Sequence, residues 1–147
     1  MVMRDFFKRY IPEFVYGAVD GTVTTFAVVA ASAGAGISSS VILILGIANL
    51  IADGFSMGSS AYLAASAEHE ESIRDSQKRS SPKIIGAVTF LAFVVVGSVP
   101  VLPYLIDVIA NLKAPNAILF YISSALTAAT FLAIGFIKGK VSKQSPW

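Results

Sequence analysis

Apolar residues in this chain fall into four long runs, at about 14–33, 41–67, 84–104 and 117–137, separated by short stretches that hold most of the charge. Each run is near or above the ~20 residues a helix needs to cross a hydrocarbon core ~30 Å thick. The pattern therefore predicts four membrane-spanning helices. The expected fold class is all-α, a polytopic membrane helical bundle forming a single integral membrane domain over residues 1–147, with a short charged loop at 68–82. The first run is too long for the apolar core of a cleavable signal peptide, contains an aspartate and is followed by no convincing small-residue cleavage site. Helix ends are marked as well. Pro12 can open the first helix, Gly34 and Gly36 can close it, and Ser38 to Ser40 can cap the second. Pro100 and Pro103 should kink or end the third near the outer face, and Pro115 precedes the fourth.

The polar exceptions inside these runs carry the functional signal. Asp20 lies in the first run and Asp53 in the second. An aspartate at the centre of a membrane helix costs ~2.5 to 3.5 kcal/mol on insertion scales, so the default reading is a cation or proton pathway. At 100° per residue Glu13, Gly17, Asp20 and Thr24 fall within about 60° of one another on the first helix, and Asn49, Asp53, Ser56, Met57 and Ser60 within about 100° on the second. Two such faces want each other, or water. Counted from the ends of the predicted spans, Asp20 and Met57 come to the same level, with Asp53 one turn deeper and Asn49 continuing the polar line. Gly54, Gly58 and the neighbouring small residues suit close helix packing.

Composition agrees that the solvent is lipid. Of the 147 residues 55% are hydrophobic and only 14% charged, with a mean hydropathy of +0.73, whereas about a quarter of a soluble domain is charged. The absence of cysteine removes disulfides, thiolate metal sites and cysteine nucleophiles, and the single His69 rules out a multi-histidine site within one chain. The basic residues report orientation rather than a nucleic-acid partner. Arg4, Lys8 and Arg9 precede the first span, Arg74, Lys78, Arg79 and Lys83 follow the second, and Lys138, Lys140 and Lys143 follow the fourth. Only Lys113 is basic in the third connection, so both termini and the loop at 68–82 are expected in the cytosol.

A carboxylate beside a thioether is a selective donor set. Magnesium and calcium prefer all-oxygen sites, whereas a methionine sulfur favours a softer first-row ion such as ferrous iron, manganese or cobalt. A membrane carboxylate that can hold either a metal ion or a proton can exchange one for the other, which is the logic of an antiporter. At the inner mouth of the second helix Glu68, His69, Glu70, Glu71 and Asp75, together with Glu13, could collect a divalent ion. The nearby arginines and lysines give this cluster an alternative reading as a solvated charged turn. No nucleophile, base and cofactor constellation is visible, so an enzyme is not expected.

The stretch YGAVDGTVTTFAVVAA, followed by LGIANLIADGFSMGSSAYLAASAE, resembles the first two helices of the vacuolar iron transporter family. The ordered D-G-x-x-T-x-F-A and A-D-G-F-S-M-G-x-x-x-Y-L-A runs carry the resemblance, which extends more weakly through the remaining chain. It implies a homodimeric transporter that exports ferrous iron, and often manganese, from the cytosol in exchange for protons. Metal is then the transported substrate, with no permanently bound cofactor. By the same resemblance Asp20 matches the family's pathway aspartate, Met57 its pathway methionine, and Glu13 an acidic residue at the cytosolic entrance. Two departures stand out. The family's long glutamate-rich domain between helices two and three is replaced by about fifteen residues, and the sequence ends where a fifth helix is expected, as a truncated form would. The expected location is a prokaryotic plasma membrane, or a vacuolar membrane in a eukaryote. The alternatives are a small proton-coupled exporter of organic cations and a non-transporting membrane subunit that docks a partner.

Overall fold

The computed structural model describes residues 2–71 and 80–142, with side chains described over 9–68 and 80–140. Helix α1 is Val2–Gly34 and α2 is Ser39–Glu71; α3 is Pro82–Gly97, a 3-10 turn occupies Val99–Val101, α4 is Leu102–Ala110 and α5 is Asn116–Ser142. No strand occurs among the described residues. Among the described residues four segments are long and apolar enough to cross a membrane: Arg9–Gly34, Ser39–Glu68, Pro82–Ala110 and Asn116–Lys140. Arg9, Lys83, Lys138 and Lys140 gather at one end of the bundle, the basic end, and Lys113 lies at the other.

The turn between α1 and α2 closes by local chemistry. Gly36 takes φ +70, a left-handed conformation that costs glycine little, while Ile37 N–H donates to the Ser32 carbonyl at 3.1 Å. The third span is not one helix. Pro100 interrupts it, the chain passes through the 3-10 turn, and α4 carries the span past Tyr104 to Ala110. A proline removes a ladder donor and crowds the preceding turn, and Ser98 N–H takes up the Val94 and Val96 carbonyls at the end of α3. The Pro100 carbonyl accepts a hydrogen bond from Ser123 Oγ of α5 at 2.7 Å. Asn116 at the start of α5 closes the same end of the bundle, donating to the Ile37 carbonyl at 2.9 Å and accepting from Ser39 Oγ at 3.2 Å.

Helix α3 packs between α1 and α2 in the basic half, and glycine makes that possible. A Cβ on Gly17 would run into the Thr89 carbonyl, and one on Gly97 would lie 2.8 Å from the Gly21 backbone. Gly58 and Gly86 do the same on the other flank, where a Cβ on Gly86 would lie 2.8 Å from the Gly58 carbonyl. Small residues at membrane helix interfaces let backbones approach and gain dispersion contacts that lipid cannot match. The larger apolar cluster sits in the other half, where Val29, Ile42, Val101, Tyr104 and Leu119 pack together. A smaller one joins Ala18, Ala92 and Ile134. Large apolar side chains also cover the outside: Ile109 and Leu132 are 76% exposed and Phe136 71%. Such a surface suits lipid, because apolar groups gain little by leaving a hydrocarbon solvent.

Candidate functional site

The polar positions of α1 and α2 form tiers along the bundle. Asn49 Nδ2 of α2 donates to the buried Thr25 Oγ1 of α1 at 3.2 Å, which fixes the register of the two antiparallel helices. Counting from that bond at ~1.5 Å per residue, Asp20 lies about 7.5 Å and Asp53 about 6 Å toward the basic end, whereas Met57 lies about 12 Å away. The glycine contacts yield the same tiers independently. Gly54 meets Phe93, on which Gly17 and Gly21 also close, while Gly58 meets Gly86 and Phe90 about one turn nearer the basic end. Asp53 is therefore the residue level with Asp20. Met57 lies a turn below them, toward Glu13, which differs from the shared level expected for Asp20 and Met57 from span ends.

The structure does not bring these side chains into one cluster. Glu13, Asp20, Asn49, Asp53 and Met57 are each half-buried, and α3 packs against both α1 and α2 at the depth of the two aspartates. The carboxylates of Asp20 and Asp53 make no hydrogen bond or ion pair with any described residue. Thr24 Oγ1 bonds to the Asp20 backbone carbonyl at 2.8 Å, not to its carboxylate. Glu13 Oε2 is buried without a hydrogen-bond partner. Ionisable groups within membrane helices usually pair, so unpaired carboxylates at one depth are groups available to a cation or a proton. Among the described residues no three acidic, histidine or cysteine side chains converge enough to hold a metal ion.

Asp20 also borders a groove of about 530 Å³ between α1 and the basic end of α5, lined by Tyr16, Val19, Val23 and Lys138. Of the expected collecting residues Glu68 is exposed at the basic end of α2. His69, Glu70 and Glu71 lie on the last turn of α2 with side chains outside the described set, and Asp75 lies outside the described residues altogether. Sequence reasoning passed over Thr25, whose partner could not be read from one helix. It also passed over Asp107, buried on α4 beyond the predicted third span, where its Oδ1 accepts from Ala114 N–H at 2.9 Å. Asp107 thereby closes the α4–α5 turn, in which Asn111 and Lys113 adopt φ 50 and 53.

Four apolar helices with carboxylates set inside them define a polytopic membrane protein. The VIT family model matches residues 11–80 and 67–147, and the chain belongs to this family, the vacuolar iron transporter family. It is similar to proteins named vacuolar iron transporter from Toxoplasma gondii, 46% identical over 61 residues covering 42% of this chain and 20% of that protein, and from Plasmodium falciparum, 36% identical over 63 residues covering 43% and 23%. The Arabidopsis thaliana protein named vacuolar iron transporter 1 is 37% identical over 75 residues, covering 51% of this chain and 30% of the relative. The matched segments thus span between a fifth and a third of the length of these curated relatives. No solved structure matches.

Proposed function

We propose that this chain carries the ion pathway of a metal transporter that moves ferrous iron or manganese out of the cytosol against protons, working as a homodimer. The observation that carries the reading is the pair of unpaired carboxylates, Asp20 and Asp53, at one depth inside apolar spans. The tiers suggest an order of events. Glu13 and the acidic end of α2, from Glu68 to Glu71 with Asp75 beyond it, attract the ion at the basic, cytosolic end. Met57 adds a soft donor that discriminates against magnesium and calcium. Asp20 and Asp53 exchange the metal for a proton, and Asn49 with Thr25 continues the polar line past the midplane. Because no three ligating side chains converge among the described residues of one protomer, a second copy is the natural source of the missing ligands. Iron as cargo is supported by the names of the relatives, and manganese, a harder ion, by the carboxylates along the pathway.

The test is flux of ferrous iron and manganese into proteoliposomes containing an internal pH dye. Metal entry coupled to opposed proton movement is expected, with Asp20→Asn abolishing both and Met57→Leu reducing selectivity over magnesium without unfolding the protein. Full coupled flux in Asp20→Asn would overturn the pathway assignment.

A further inference from the structure

A second groove, on the opposite flank of α3 from Gly17 and Gly21, lies outside the polar tiers. It measures about 490 Å³ and runs between α2 and α3 at the basic end of the bundle. Its floor is the Gly58–Gly86 crossing, where the two backbones are too close to admit a Cβ. Phe55, Leu63, Ala87 and Phe90 form apolar walls. From Phe55 to Leu63 this slot follows α2 for about 12 Å at 1.5 Å per residue, most of one ~15 Å hydrocarbon leaflet.

Apart from Ser59, which lines the groove midway along α2, the polar side chains lie at the mouth. Lys83 is the second residue of the third span, exposed, and makes no ion pair or hydrogen bond with any described residue. The hydroxyl-bearing Tyr62 lines the groove beside it, 40% exposed, with its Cβ within 2.8 Å of where a Gly86 Cβ would lie. Among the described residues no acidic side chain lines the groove. A shallow, largely apolar groove running most of one leaflet, with an ammonium and a tyrosine at its headgroup end, suits one ligand chemistry. Its lower part takes an acyl chain and its mouth takes an anion. Basic pockets between membrane helices bind anionic headgroups in this way, and tyrosine favours the interfacial depth.

We propose that the α2–α3 groove is a binding site for an anionic phospholipid of the leaflet at the basic end, with the phosphate on Lys83 and Tyr62 and one acyl chain over Gly58 and Gly86. The site is independent of the transport reading, since none of its residues belongs to the tiers of Glu13, Met57, Asp20 and Asp53.

The test compares retention of phosphatidylglycerol and phosphatidylcholine, with identical acyl chains, by delipidated full chain in native mass spectrometry. About fivefold preference for phosphatidylglycerol is expected, the effect of one lysine at an anionic headgroup. Lys83→Gln should remove the preference and Lys83→Arg should restore it. Ala87→Phe, which fills the slot from an exposed position, should weaken retention of both lipids, and glycerol phosphate without acyl chains should not compete. Lys140→Gln, at the same end on α5, should leave the preference intact. Equal retention of the two lipids by the unaltered chain would overturn the proposal. So would a preference that survives Lys83→Gln or disappears equally in Lys140→Gln, which is general surface attraction. Competition by free glycerol phosphate would assign the mouth to a soluble anion instead.

Discussion

Asn49 and Thr25 make a side-chain hydrogen bond between α1 and α2 inside the apolar spans. Interhelical hydrogen bonds in membranes contribute about 0.6 kcal/mol on average. Asn49→Ala should therefore lower stability by about that amount in a reversible detergent unfolding titration, with Thr25→Ala costing no more on top of it because the bond is already gone. Asp20 and Asp53 were legible from sequence alone, since a charge inside an apolar run stands out in composition. Their shared depth was not. Span ends are uncertain by a turn, and α2 continues through Glu71 as helix, so counting from predicted ends raised Met57 to the level that Asp53 occupies. A contact between helices sets depth better than a boundary within one.

Helix α3 shows how element packing depends on what side chains are absent. Gly17 touches the α3 backbone, whereas a Cβ on Gly135 of α5 would meet nothing within 4 Å. Gly17→Leu should consequently destabilise the bundle by more than the about 1–3 kcal/mol usual for overpacking, because a backbone carbonyl cannot swing aside. Gly135→Leu should be neutral within about 0.5 kcal/mol, as for a surface substitution. Thermal unfolding of the purified variants separates the two outcomes. The glycines of α2 were readable as a packing face, but not the partner they pack on. The break in the third span was readable only as a proline kink, because a single helix does not disclose that Ser123 of α5 donates to the Pro100 carbonyl at the break.

For the whole molecule, the asymmetry of Arg9, Lys83, Lys138 and Lys140 against Lys113 predicts the basic end in the cytosol. The chain contains no cysteine, so single substitutions report cleanly. Ser80→Cys in intact cells should resist an impermeant thiol reagent and react after lysis, whereas Ser38→Cys should react from outside; the reverse pattern would invert the topology. Sequence by itself determined the number of spans, their apolar character, the helix-ending turn at Gly36 and the carboxylates within the membrane. These follow from local hydropathy and backbone chemistry, which act along the chain. Only the tertiary structure decided that α3 packs closely on both α1 and α2, that Asp53 rather than Met57 shares the depth of Asp20, and that a groove floored by Gly58 and Gly86 opens beside Lys83. In lipid the apolar face of a helix carries no preference for one neighbour, so the choice of partner is left to close packing and a few hydrogen bonds that no single segment contains.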